Sequence, residues 1–190
     1  MGKVSISPGR FLLTTPLALL SAWGRGGKPN IVTIAWTGVM CSDPPLVYAS
    51  VRPTRFTHRL LEQNGDFVLN LPSTGQAREV DLCGTVSGRK VDKFSLCGFT
   101  AVPAGKVDAP AIAECPVHLE CRTTQVLSLG VHDAFIAEVL AIRADEAIVR
   151  GKGRIDPHFA LLVYATSTGS YHRTERMERI GFSRHPEKKH

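Results

Sequence analysis

PLALLSAW (16–23) and NIVTIAWTGVM (30–40) are β-rich runs separated only by GRGGKP, a glycine-proline turn of the length that joins hairpin strands. The two runs are expected to pair antiparallel. PLVYASVR (45–52) supplies a third strand behind the Asp43-Pro44-Pro45 breaker, and DFVLNLP (66–72) a further one. Between them Phe56, Leu60 and Leu61 carry helical spacing, with Thr54 as N-cap and Gly65 as C-cap. STGQAREVDLCG (73–84) predicts a short helix stopped by its glycine, and VSGRKVDKFSLCGF (86–99) a loop with one helical turn. CPVHLECRTTQVLSLG (115–130) and HDAFIAEVLAIRAD (132–145) meet around Gly130-Val131-His132-Asp133 like a long hairpin, and FALLVYATST (159–168) is the last strand.

Six or more strands with hairpin-length joins, and only short helices between them, argue for a mainly β, antiparallel barrel with peripheral α-helices. Gly24, Gly26 and Gly27 sit in a strand-to-strand turn and do not open a helix, which argues against a Rossmann dinucleotide site. The 190 residues are expected to form one domain, 1–190, with a peripheral tail from about residue 176. The one dense basic cluster is terminal and runs from Arg173 into that tail through Arg176, Arg179, Arg184, Lys188 and Lys189. Elsewhere the charges behind the net +6 are spread along the chain, so a solvated tail is expected and not a polyanion-binding face. A nucleic-acid-binding barrel would need exposed aromatic stacking residues among basic ones, and only 7% of the chain is aromatic.

The five cysteines form no C-x-x-C pair and the histidines no metal-binding spacing, so reduced thiols, a cytoplasmic setting and no metal site are expected. Lys3 and Arg10 before FLLTTPLALLSAW (11–23) imitate a signal peptide, but Pro16 splits the apolar run and no A-x-A-like site follows. These residues are read as first strands of the fold. No stretch reaches the length of a membrane span.

Several stretches carry possible chemistry. SVRPTRFT (50–57) ends a strand and feeds a helix, which gathers free backbone N–H groups, hydroxyls and the Arg55 guanidinium as a phosphate site would. Its plainer alternative is a capped helix with a surface arginine. Asn30, Ile31, Thr33 and Trp36 lie in a strand beside the glycine turn, where a core tryptophan is the alternative. Asn70, in mid-strand, must find partners if buried, and a sheet-to-loop hydrogen bond would satisfy it. Thr85, Ser87, Gly88, Arg89 and Lys93 form a polar loop able to approach a ligand. His132 is either a turn residue or a donor to an electron-rich group. Asp66, Asp81 and Glu120 offer no convincing acid–base pair, and no serine sits in a G-x-S-x-G elbow, so nucleophilic hydrolysis has little support. Cys83 is read as a buried thiol, its alternative being a thiol that tunes or reacts with a group bound nearby, and His58 as lying on the helix surface.

The ordered set N-x-x-T-x-A-W, a Pro-Pro pair before S-V-R-P-x-R-x-T, then F-V-L-N-L-P, S-G-R-x-x-D-K-F and H-x-x-F-I-A-E-V resembles the flavin reductase-like FMN-binding split-barrel family. The resemblance runs from about residue 10 to 175. It implies a dimeric split β-barrel with one FMN near each subunit boundary. By motif, Ser50, Arg55 and Thr57, with Val51 beside them, would face the phosphate. Asn30, Thr33, Ala35 and Trp36 would line the ribityl chain and the ring. Asn70 belongs to a matched motif, Ser87, Gly88 and Lys93 would close over the flavin, His132 would lie near it, and Tyr164 falls where the family often has an aromatic. Val131 stands before His132 where the family often has a small or polar residue, so the bend is expected to differ.

The implied chemistry is the cofactor's, with electrons passing from NADH or NADPH through FMN to a small-molecule or protein acceptor. No protein acid or nucleophile is then obligatory, and Lys93 and His132 are candidates for tuning the flavin. The alternative is an electron carrier that keeps FMN bound without its own NAD(P)H turnover.

Overall fold

The computed structural model describes residues 2–5, 14–151, 153–156, 159–166 and 168–175. The basic cluster beyond Glu175 lies outside the described residues. The chain is mainly β: β1 (Thr14–Pro16), β2 (Ala18–Trp23), β3 (Pro29–Ile34), β4 (Thr37–Ser42) and β5 (Pro45–Val51) precede helix α1 (Phe56–Asn64). Then come β6 (Asp66–Leu71), helices α2 (Ala77–Thr85) and α3 (Lys93–Cys97), β7 (Ala101–Pro103), β8 (Pro110–Ile112), and the long pair β9 (Val117–Ser128) and β10 (Asp133–Ala144). Short strands β11 (Val149–Arg150), β12 (Arg154–Ile155), β13 (Leu162–Ala165) and β14 (Ser170–Arg173) finish it.

Seven strands form one sheet in the order β3-β2-β6-β9-β10-β5-β4, and every neighbouring pair is antiparallel. Its two edge strands, β3 and β4, are consecutive in the chain, so the sheet curls back toward itself. Ser50 N–H donates to Trp36 O (2.8 Å) at the place where the edges approach. This explains why NIVTIAWTGVM is not one strand. The chain leaves its partner β2 after Ile34 and resumes at Thr37 against β5 on the other edge.

Period-two alternation fills both faces of the central strands. Ala18, Leu20, Ala22, Val32, Ile34, Val47, Ala49, Val51, Phe67, Leu69, Phe135 and Ala137 point to one core, which α1 closes with Leu60 and Leu61. Each fully buried large side chain there, such as Phe67 or Phe135, contributes roughly 1.5–3 kcal/mol. The alternate residues Leu19 and Ile31 face outward under α2 and α3, against Val80, Cys83 and Phe94. Helices are therefore packed on a sheet whose strands are apolar on both sides.

The β2–β3 and β9–β10 hairpins form as expected, the latter turning through 129–132 with Gly130 at φ 95°. The apolar start is indeed strand from Thr14 onward. Gly65 ends α1 in the left-handed conformation (φ 71°), donating to Leu61 O. The N-cap differs from expectation: it is Arg55, with extended backbone and no capping side chain, because Thr54 still belongs to the turn after Pro53. Helix α2 also runs through Gly84 to Thr85, since Gly84 packs against the Thr33 side chain and continues the helix. Asp92 caps α3 by accepting from the N–H groups of Phe94 and Ser95. No helix among the described residues is long and apolar enough to cross a membrane.

Candidate functional site

Where the sheet edges meet, a cleft opens between β3, the β5–α1 join, the segment after α2 and the β9–β10 turn. It has two chambers that share Val32, Arg52 and Arg55. The narrow chamber, about 250 Å³, is lined by Thr54, Arg55, Phe56, Thr57, Val86, Ser87, Gly88 and Lys93 among others. The wide chamber, about 440 Å³, is walled by Leu17, Thr33, Ile34, Ala35, Trp36, Ser50, Val51, His132, Tyr164 and Tyr171, with Asp81, Gly84 and Thr85 at one side. Together they fall in the range of sites for small organic ligands.

The narrow chamber is cationic. Lys93, only 4% exposed, donates through Nζ to Cys83 O (2.7 Å), and burial pulls its pKa down against an opposing effect of Cys83, with the Arg55 charge adding a smaller push in the same direction as burial. Among the described residues neither Arg55 nor Lys93 has an ion pair. Because no side chain caps α1, its first N–H groups also open toward this chamber. Asn30 stands one layer behind, its amide donating to Thr57 Oγ1 (2.8 Å) and so fixing that hydroxyl. Gly88 presses on the same amide: a Cβ there would sit 1.9 Å from Asn30 Oδ1. Only glycine allows the loop to approach that closely.

The wide chamber is aromatic. Trp36, 40% exposed and so no core residue, stacks on His132 with ring centroids 6.3 Å apart and planes 11° from parallel. Arg52 Nε donates to His132 Nε2 (3.4 Å), which leaves Nδ1–H as the ring's donor. Burial and the Arg52 charge lower the His132 pKa, so the imidazole is neutral at neutral pH. Opposite, Tyr164 and Tyr171 pack at 5.4 Å, and Tyr171 donates its hydroxyl to Asp81 (2.8 Å).

Of the residues expected in a cofactor site, Thr33, Ala35, Trp36, Ser50, Val51, Arg55, Thr57, Ser87, Gly88, Lys93, His132 and Tyr164 line the cleft. Ser50 lies in the wide chamber and Thr57 in the narrow one, so the two hydroxyls do not share a chamber. Asn70 is not in the cleft. It is fully buried, donates to Leu19 O and Ser21 Oγ, and accepts from Ile112 N, joining the sheet to β8. His58 is likewise not on the surface: it is 4% exposed, contacts Asp133 Oδ2 at 2.7 Å and Glu62 Oε2 at 3.3 Å, and meets the Phe135 ring edge-on. Asp133, seventy-five positions away, draws the ring inward, a partner that the local sequence does not announce. Arg52 is the main residue passed over, although it stood inside SVRPTR. The Asp81–Tyr171 contact had no local signal.

The family described as "Flavin reductase like domain" matches residues 9–173. Among solved structures, flavoredoxin of Desulfovibrio vulgaris (Miyazaki F) superposes with a TM-score of 0.88 at 31% identity, covering 95% of this chain and 98% of that one. The FMN-binding protein from Thermus thermophilus with bound 1-cyclohex-2-enone superposes with a TM-score of 0.75 at 28% identity, over 91% of this chain and 94% of the other. The FMN reductase (NADH) RutF of Pseudomonas syringae pv. syringae is 25% identical over 131 residues, 69% of this chain and 71% of its own length.

Proposed function

The chain belongs to the flavin reductase-like family, and from that premise we propose that it holds FMN in this cleft and passes electrons from NADH or NADPH to an acceptor. The observation that carries the reading is a cleft whose narrow chamber holds Lys93 and shares Arg52 and Arg55 with a wide chamber walled by Trp36, His132 and the two tyrosines. That pairing matches the two chemistries of a flavin mononucleotide, a phosphate and a flat ring. Neighbours described as an FMN-binding protein and an NADH-dependent FMN reductase support the same assignment.

Bound there, FMN supplies hydride and electron transfer at its ring, so the cleft requires no protein nucleophile. The chain's own residues bind and orient. The Arg55 guanidinium, the Thr57 hydroxyl and the first N–H groups of α1 hold the phosphate by charge-assisted hydrogen bonds. The Lys93 ammonium adds positive charge that is not screened by water. In the wide chamber the neutral His132, kept in one tautomer by Arg52, offers Nδ1–H to an electron-rich edge. Trp36 shields one side of the chamber.

We also assign the protein a dimeric state and a cytoplasmic setting. Val39 (76% exposed) on edge strand β4, and Leu129 and Val131 (72% exposed) in the β9–β10 turn, leave apolar side chains in water beside the cleft, which a second copy would cover. All five cysteines are free, in keeping with a reducing compartment.

The first experiment is a visible spectrum after incubation with FMN and desalting. A flavin absorbance near one equivalent per chain is expected, and a preparation that stays colourless ends the reading. Steady-state oxidation of NADH and NADPH with free flavin then separates a reductase from the second reading, an FMN-holding electron carrier, for which turnover should be almost nil. The likeness to a flavoredoxin favours keeping that second reading.

A further inference from the structure

Cys83 near the end of α2 and Cys97 at the end of α3 bring their sulfurs to 3.6 Å, in contact and unbonded. Cys83 is fully buried, while Cys97 is partly exposed. The segment between them is the wall of the narrow chamber: Gly84 and Thr85 reach the wide chamber, and Val86, Ser87, Gly88 and Lys93 line the narrow one. The two thiols therefore stand at the base of a segment that faces the cleft with residues 84–88 and Lys93.

We propose that Cys83 and Cys97 are a reversible thiol–disulfide site, whose oxidation staples the cleft-lining loop at its base. A disulfide requires the sulfurs to close from contact to about 2.0 Å. The element that must move is α3, a helix of five residues held by its Asp92 cap and ended by Gly98 in the left-handed conformation. A small shift of so short a helix leaves the sheet untouched. Neither cysteine belongs to a C-x-x-C motif, which is why the pair is invisible in the sequence.

The oxidant is a low-molecular-weight disulfide. The Cys97 thiolate attacks one of its sulfurs, the S–S bond breaks, and the departing thiolate takes up a proton. Cys83 gives its proton to solvent, and its sulfur attacks Cys97 Sγ in the mixed disulfide, releasing the second small thiol. Two protein thiols are oxidised and one small disulfide becomes two thiols. Burial pushes both protein thiols above their ordinary pKa, more strongly for Cys83, so the partly exposed Cys97 exchanges first and the reaction is slow at neutral pH.

The cross-link stands without the cofactor reading, but its effect on cofactor release rests on it. The test treats the full-length protein with oxidised glutathione, alkylates what remains free, and maps the digest without reduction. Peptides bearing Cys83 and Cys97 should be joined, lighter by two hydrogens than their sum, and separated again by dithiothreitol, while Cys115 and Cys121 stay reduced. Cys115 lies in the same apolar cluster, so a Cys83–Cys115 link overturns the proposal, as does glutathione left on Cys97 with no internal link. Cys97→Ser, a change at a partly exposed position, should abolish the link and leave Cys83 free. In FMN-loaded protein, cofactor release followed by flavin fluorescence should slow about tenfold on oxidation and be unchanged in Cys97→Ser. An unaltered rate in cross-linked, FMN-loaded protein refutes the staple. Protein that cross-links but takes up no FMN contradicts the cofactor reading and leaves the thiol site standing.

Discussion

The β9–β10 hairpin passes through two polar regions of opposite character. Away from its turn lie carboxylates, and each is answered from within the fold. Glu120, 1% exposed, accepts from Arg143 Nε (2.7 Å) and from Lys106 N–H, while Asp66 takes both a forked Arg122 contact (2.9 and 3.1 Å) and the Asp108 N–H. Burial alone would raise the pKa of both acids, but these donors, joined on Glu120 by the Gly105 N–H, which has the largest lowering effect there, outweigh it and hold each below the usual carboxylate range. At the turn end Asp133 is answered by His58, while the cations that line the cleft, Arg52, Arg55 and Lys93, have among the described residues no carboxylate in ion-pair contact. A polar group with internal partners contributes to architecture. Cations gathered without an internal anion are the mark of a site for one.

The sharpest way to test that division is to remove one residue of each kind. Asn70 belongs to the first: leucine in its place leaves Ile112 N–H, Leu19 O and Ser21 Oγ without their partner in a dry interior. Asn70→Leu should cost about 3 kcal/mol in a urea titration, while the folded protein still takes up FMN to the same stoichiometry. Arg55 belongs to the second. Exposed and without an ion pair, it contributes nothing to folding, so Arg55→Ala should leave the melting temperature unchanged. FMN affinity should fall by roughly tenfold to a hundredfold, the worth of a charge-assisted hydrogen bond at about 1.5–3 kcal/mol. Loss of FMN in Asn70→Leu with full stability, or loss of stability in Arg55→Ala, would reverse the assignment.

The strand runs, their hairpins and the motif residues along the cleft were readable in the sequence because they depend on near neighbours. β-rich runs bounded by glycine and proline turns placed β2, β5, β6, β9 and β10, and glycine placed the ends of α1 and of the long hairpin. What was not readable depends on distant partners. Asn70 sits in a motif with cleft residues, yet its register beside Leu19 and its bond to Ile112 draw it into the interior. His58 reads as a residue of the helix surface until Asp133 meets it. NIVTIAWTGVM has uniform β propensity, and only the return of β5 decides that it must break at Ala35-Trp36. Cys83 and Cys97 are fourteen positions apart with no motif between them.

The same division separates two glycines. A Cβ on Gly105 would fall 2.1 Å from Arg143 Nη2, the far end of a long exposed side chain that can tilt about its Nε bond to Glu120. A Cβ on Gly88 would fall 1.9 Å from Asn30 Oδ1, on a short buried side chain already held by Thr57. Gly105→Ala disturbs only that ion pair and should lower stability by up to about 1 kcal/mol, with FMN binding unchanged. Gly88→Ala must displace the loop or Asn30, and should weaken FMN binding about tenfold, some 1.4 kcal/mol, with a smaller change in melting temperature. Equal effects from the two substitutions would mean that the loop at Gly88 is not held in place.

The smallest effect concerns how the two walls of the cleft are held together. Helix α1 carries Thr57, and β10 starts beside His132; the His58–Asp133 contact (2.7 Å) ties one to the other, with Glu62 on the second ring nitrogen. Its hydrogen bond to His58 is the main reason that Asp133 ionises below the usual carboxylate range. A carboxylate whose pKa is lower folded than unfolded stabilises the fold above its unfolded value, near pH ~4, and that stability is lost as pH falls through the folded value. Urea midpoints should therefore decline more for the native protein than for Asp133→Asn as pH falls from about 5 to 3, starting from a lower midpoint in the variant at neutral pH. Parallel declines would show that Asp133 does not clamp the helix, and that the cleft walls are aligned by apolar packing of Leu60, Leu61 and Phe135 alone.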